Sequence, residues 1–90
     1  MADVIALVKI YPSEDVSDMD SLVRRIEESL PNIYRVVMKE IVEIAYGYRA
    51  LVLYIRFPEN TEGGTEELET RIAGVDGVSS VEIEAVTRAL

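Results

Sequence analysis

Residues 49–57 read RALVLYIRF. Successive side chains of an extended chain alternate between its two faces, so Leu51, Leu53, Ile55 and Phe57 fall on one side and Ala50, Val52 and Tyr54 on the other. Both sides are apolar, which places this strand inside a sheet rather than at its border. Pro58 ends it, because proline has no N–H to give to a ladder. The stretch ENTEGG that follows reads as a loop. One other segment has the same character. In residues 3–11, DVIALVKIY, Val4, Ala6, Val8 and Ile10 share one face, and Ile5, Leu7, Lys9 and Tyr11 the other. It stops at Pro12. Two central strands so far apart in sequence must be neighbours in space, with weaker strands outside them.

The intervening chain supplies what surrounds them. In residues 19–30, MDSLVRRIEESL, the period changes: Met19, Leu22, Val23, Ile26 and Leu30 recur at helical spacing, with Arg24, Glu27 and Glu28 opposite. Asp18 is the expected N-cap, and Asp20 sits near the positive end of the helix dipole. Pro31 stops the helix. Residues 33–43, IYRVVMKEIVE, read as a strand with Tyr34, Val36 and Met38 on one face and Arg35, Val37 and Lys39 on the other. The mixed second face suits an edge. The alternation falters near Glu40, where a bend or bulge is expected. Ile44-Ala45-Tyr46-Gly47-Tyr48 then connects to residues 49–57, with Gly47 free to take a positive φ. Beyond the ENTEGG loop, a short helix spans 66–73, with Thr65 as N-cap, Leu68 and Ile72 inward and Gly74 as C-cap. GVDGV turns the chain into SSVEIEAV, where Val81, Ile83 and Ala85 alternate with Glu82 and Glu84.

The order is β-α-β-β-α-β. Two right-handed crossovers interleave into a four-stranded antiparallel sheet of order 4-1-3-2, with both helices on one face: an α+β, ferredoxin-like sandwich. The helices cover only one side of such a sheet. With Val4, Ala6 and Val8 beneath them, Ile5, Leu7, Ala50, Val52 and Tyr54 point to the open side, as a contact surface for a partner or a second copy.

Composition narrows the function. Ninety residues make a single domain, residues 1–90, with enough interior for one core and none to spare for a deep substrate pocket. There is no cysteine and no histidine, so disulfides, thiolate chemistry, Ser-His-Asp arrangements and the usual metal ligands are excluded. A carboxylate, lysine or tyrosine enzyme is the catalytic alternative left, and a docking protein that is no enzyme is the better fit. A net charge of −8 argues against direct nucleic-acid binding and for a partner with a basic patch. No apolar run is long enough to cross a membrane, and the N-terminus lacks the pattern of a secretory signal, so a cytoplasmic protein is expected.

Several constellations could carry chemistry. The first loop, YPSEDVSD, lacks the cysteine pair of metal-carrying domains of this topology. Tyr11 and Tyr54 could stack bases, but the glycine-aromatic pattern of RNA-binding strands is missing. Gly63-Gly64-Thr65 before a helix could hold an anion, yet Glu62, Glu66, Glu67 and Glu69 surround it, and capping explains it better. Glu14, Asp15, Asp18 and Asp20 lack the glycine and distal glutamate of a calcium loop and read as a solvated approach to the helix. Tyr46, between Ala45 and Gly47 at a hairpin tip, can either fold back onto the core or stand out as an amphipathic anchor.

Four stretches together resemble the elongation factor 1-beta family of archaea and the exchange domain of its eukaryotic relatives. They are Asp3-Val4-Ile5-Ala6-Leu7-Val8-Lys9-Ile10 with Pro12; Ile44-Ala45-Tyr46-Gly47 with Ala50-Leu51-Val52-Leu53; Gly63-Gly64-Thr65 with Leu68-Glu69 and Ile72; and Gly74-Val75-Asp76-Gly77-Val78 with Val81-Glu82-Ile83. Their order and spacing cover nearly the whole chain. The resemblance implies a guanine-nucleotide exchange factor for the GTPase translation elongation factor 1-alpha, acting without a cofactor; from the six-segment pattern a folded monomer or weak dimer is expected. It implies partner contacts at Ala45, Tyr46 and Gly47, where relatives carry an aromatic. Eukaryotic relatives also use a lysine near the C-terminus, toward the magnesium site. Here Ala89 stands next to last before Leu90, and Arg88 is the basic residue available for that role. A ligand-binding regulatory module of the same fold, paired through its sheet, is the alternative, with Gly63–Thr65 or the GVDGV turn as its site.

Overall fold

The computed structural model describes residues 2–89; Met1 and Leu90 lie outside the described residues. The chain runs β1 (Asp3–Pro12), α1 (Met19–Ser29), β2 (Arg35–Ala45), β3 (Tyr48–Pro58), α2 (Gly64–Ala73) and β4 (Val78–Arg88). The strands form one antiparallel sheet in the order β2-β3-β1-β4. This is the expected 4-1-3-2 order seen from the other edge. β1 and β3, the two strands apolar on both faces, occupy the middle.

Register decides what is buried. Val4, Ala6, Val8 and Ile10 lie opposite Phe57, Ile55, Leu53 and Leu51. These residues meet Leu22, Val23, Ile26 and Leu30 of the first helical segment, and Leu68 and Ile72 of α2, in one buried cluster. Burying each large aliphatic side chain of this kind contributes about 1.5–3 kcal/mol, so the interior of a chain this small rests on few residues. α1 begins where predicted. The Asp18 carboxylate accepts hydrogen bonds from the backbone N–H of Asp20 (3.1 Å) and Ser21 (3.4 Å). Leu30 caps the other end, ahead of Pro31.

Four local expectations are corrected. α2 starts at Gly64, and Thr65 lies inside it; the N-cap is Gly63, with φ 84° and no side-chain cap. A pair of glycines lets the chain swing into the helix where a side chain would obstruct it, since a Cβ on Gly63 would stand 2.8 Å from Cβ of Glu67. β2 starts at Arg35, because the Tyr34 N–H bonds the Pro31 carbonyl at 3.0 Å and closes a turn first. The irregularity expected near Glu40 falls at Val37 instead, where the register passes from Val36↔Ile55 to Met38↔Tyr54, and a second skip lies at Ile44. Val37 is the extra residue. Met38 therefore leaves the face of Val36 and joins the open side. In β4 the register passes from Leu7↔Ala85 to Val8↔Ile83, so Glu84 is the extra residue and Ala85 leaves the face of Val81 and Ile83.

On the open side, Ile5, Leu7, Lys9, Tyr11 and Tyr54 are half-buried, and the Lys9 ammonium stands 5.6 Å from the centre of the Tyr11 ring. Ala50 and Val52 point the expected way but are 0% and 7% exposed. Neighbouring side chains on this face screen them, so the apolar patch is smaller than the sequence implies. Among the described residues no helix is long and apolar enough to cross a membrane.

Candidate functional site

The β2–β3 hairpin turns in two residues. Ala45 and Tyr48 pair across the ladder. Between them Tyr46 has φ 53° and Gly47 φ 78°. Two consecutive positive φ angles define the type I′ turn, whose twist matches that of the flanking strands and which usually contains Asn-Gly or Asp-Gly. Gly47 meets the demand freely, as expected from the sequence. Tyr46 does not: a left-handed non-glycine residue costs about 1–2 kcal/mol. Nor is this offset by packing, because Tyr46 is fully exposed. Of the two outcomes open to it, the ring stands out.

The base of the turn is held in place. The Tyr48 hydroxyl donates to the Pro12 carbonyl at 3.0 Å, tying the hairpin to the end of β1. Below the tip, a shallow groove runs between Tyr48 and Arg49 on one side and Ser13, Glu14 and Met19 on the other. Ile41 and Ile44 add exposed apolar surface to the hairpin arm. Sequence reasoning named Ile44 and Tyr48 only as parts of the hairpin connection and did not single out Ile41; an aromatic two places after Tyr46 was the available signal for Tyr48.

The acidic loop at the entrance to α1 is used locally. The Ser13 hydroxyl donates to Asp15 at 2.7 Å, and this bond holds the Asp15 carboxyl below the usual range, helped by the residue's own backbone N–H. Asp18 caps α1, and Asp20 lies 3.4 Å from the Lys39 ammonium. Among the described residues no cluster of His, Cys, Asp or Glu has the arrangement to hold a metal ion.

Ala45, Tyr46 and Gly47 are thus brought together, but Arg88 is not with them. It ends β4 opposite Val4, at the far end of β1, and its guanidinium lies 3.3 Å from the Glu59 carboxylate with the side chain 74% exposed. From Val4 to Pro12 is eight residue steps (12 − 4), which alone separates the two ends by roughly 26 Å at ~3.3 Å per residue. The molecule is 42 Å long in all. The two contacts implied by resemblance therefore cannot act on one small site, and Leu90 beyond Arg88 lies outside the described residues.

Comparison with known proteins bears on this geometry. The family model described as "EF-1 guanine nucleotide exchange domain" matches residues 5–89. "Elongation factor 1-beta" of Sulfolobus acidocaldarius is 45% identical over 86 residues, 96% of this chain and 96% of that protein. The protein of the same name from Sulfurisphaera tokodaii is 44% identical over 88 residues, covering 98% and 97% of the two chains. In three dimensions the chain is similar to the C-terminal domain of the MgtC protein from Mycobacterium tuberculosis. That likeness has a TM-score of 0.53 at 13% identity, over 99% of this chain and 88% of that one, and it speaks to fold alone. With a family model matched over nearly its full length, the chain belongs to the EF-1 guanine nucleotide exchange domain family.

Proposed function

We propose that this domain promotes GDP release and GTP reloading on translation elongation factor 1-alpha, in the cytoplasm, by docking alone. It breaks and makes no covalent bond and uses no cofactor. The observation that carries this reading is Tyr46: a ring held fully in solvent, in a backbone conformation unfavourable to it, inside a chain of the exchange family.

Exchange by docking is linkage. A factor that binds the nucleotide-free GTPase more tightly than the GDP form must weaken nucleotide binding by the same ratio. Accelerating release a thousandfold takes about 4 kcal/mol off the barrier, which a few desolvated anchors can supply. Tyr46 is one such anchor, with Ala45 and Gly47 small enough to let the partner's surface close around the ring. Arg88 is a second contact, cationic and at the opposite end. A partner that meets both presents a surface at least about 26 Å long. The net charge of −8 steers the domain toward a basic region of that surface.

The test is release of a fluorescent GDP analogue from elongation factor 1-alpha. Release should accelerate with domain concentration and saturate. The domain should also bind the nucleotide-free GTPase more tightly than the GDP-bound form. A folded domain that leaves the release rate unchanged at saturating concentration overturns the proposal.

A further inference from the structure

We propose that Tyr48 is a positioning residue: its hydroxyl, bonded to the Pro12 carbonyl, latches the hairpin tip so that the Tyr46 ring meets the GTPase already ordered. This rests on Tyr46 being a docking anchor. The latch sits where the sheet stops supporting the tip. Pairing of β1 with β3 ends at Ile10↔Leu51. Tyr48, Arg49 and Ala50 run on past that point, in register with β2 alone, opposite Ala45, Glu43 and Val42. A two-stranded ribbon is marginally stable by itself in water. The turn at its end adds strain, since Tyr46 takes a φ of 53° that its side chain disfavours.

The Tyr48 hydroxyl spans this gap, donating to the Pro12 carbonyl at 3.0 Å in a part-buried bond. Its acceptor does not move with the tip. Pro12 pairs with Val78 of β4, the Ser13 N–H donates to the Gly77 carbonyl at 2.9 Å, and the proline ring fixes φ. The donor lies two residues after Tyr46 and opposite Ala45 in the ladder. A bond between these two points sets where the tip stands relative to β1 and β4. The hydroxyl takes no part in strand pairing, so phenylalanine in its place keeps an aromatic side chain on β3 and loses the bond alone. An anchor ordered before contact gives up less freedom on docking. One that is ordered in only a fraction of molecules binds more weakly by that fraction.

Tyr48→Phe in the full chain tests this, read by nitrogen-15 relaxation and by nucleotide release. In the free domain the backbone order parameters of Tyr46 and Gly47 should fall from about 0.85 toward about 0.6. In release of the fluorescent GDP analogue, the domain concentration giving half-maximal acceleration should rise about three- to tenfold, the equivalent of one hydrogen bond, with the maximal rate held within about twofold. Tyr34→Phe is the control. It removes another 3.0 Å hydroxyl–carbonyl bond, to Gly64, beside Phe57 at the opposite end of β1, and should lower stability without moving half-saturation. Adding Tyr48→Phe to Tyr46→Ala should weaken exchange no further than Tyr46→Ala alone, because the latch acts through the ring. A bond that merely stabilised the fold would add its cost in both backgrounds. Unchanged order parameters, an unchanged half-saturation, the same rise in Tyr34→Phe, or a full further loss in the Tyr46→Ala background each overturns the latch and leaves Tyr46 its role. Tyr46→Ala exchanging as well as the parent is the separate result that removes the anchor, and the latch with it.

Discussion

A left-handed tyrosine with no packing partner is a loss that the hairpin does not require, because asparagine serves the same turn better. Tyr46→Asn should therefore raise stability by about 1 kcal/mol while lowering exchange. Tyr46→Ala should move stability by under about 1 kcal/mol, since no core contact is lost. Truncating a docked aromatic typically costs about 2 kcal/mol or more, so both variants should lose roughly thirtyfold in exchange efficiency. Tyr46→Phe should be mild if the ring carries the contact and severe if the hydroxyl does. Thermal melts beside nucleotide-release assays separate the two effects, and unchanged exchange in Tyr46→Asn would remove Tyr46 from the interface. Tyr34 makes the opposite case. Its ring is buried, 5.2 Å from that of Phe57, and its hydroxyl donates to the Gly64 carbonyl at 3.0 Å. Desolvation, then the nearby Glu67 carboxylate, push its pKa up. The fold thus favours the neutral phenol, and this contribution is complete below about pH 10 and is lost as pH rises beyond it. Tyr34→Phe should cost about 1 kcal/mol at neutral pH and lose this part of the alkaline decline, as followed by urea unfolding at several pH values.

At the scale of elements, what the sequence disclosed depended on how many neighbours a strand has. β1 and β3 are flanked on both sides and apolar on both faces, and their alternation could be read directly. β2 and β4 are edges, and each contains a skipped residue that moves Met38 and Ala85 to the other face. A bulge position follows from register against the adjacent strand and from sheet twist, which a single stretch of sequence does not contain. The hairpin connection was legible for the same reason as β1, since its signal is local, but the five residues expected to form it shrink to Tyr46-Gly47, with Ile44 and Ala45 in β2 and Tyr48 in β3. The exposure of Tyr46 was not, because it depends on where the helices stop covering the sheet. Nor was the start of α2 legible, since Thr65 is a good cap by type while the glycines before it admit an earlier start. Gly63→Ala tests that account. With φ 84° and a Cβ 2.8 Å from that of Glu67, the variant should lose about 1–3 kcal/mol in thermal unfolding, and a neutral result would mean that α2 can begin at Thr65 after all.

For the whole molecule, strand order separates Tyr46 from Arg88, and this could have been read from the 4-1-3-2 topology. It also changes how Arg88 must be tested. Thr87 and Arg88 pair with Ile5 and Val4, and the Ala89 N–H bonds the Asp3 carbonyl at 2.9 Å, so truncation from Thr87 removes part of the sheet. Arg88→Ala is the clean variant. Its exposed pair with Glu59 is worth little, so stability should change by under about 1 kcal/mol. If Arg88 meets the partner, exchange should fall and its salt dependence weaken; an unchanged salt profile would confine docking to the Tyr46 end.

The separation of the two ends has a further consequence. β1 is bonded on both sides, and it joins the Tyr46 turn to Arg88 as a stiff spacer. If Tyr46 and Arg88 both meet the partner as proposed, two weak contacts on such a spacer behave as a bivalent ligand. Once one end is seated, the other is presented to its site at a high effective concentration if the spacing matches, and at almost none if it does not. Either end can then let go and return while the other tethers the domain, so nucleotide can leave without the factor departing.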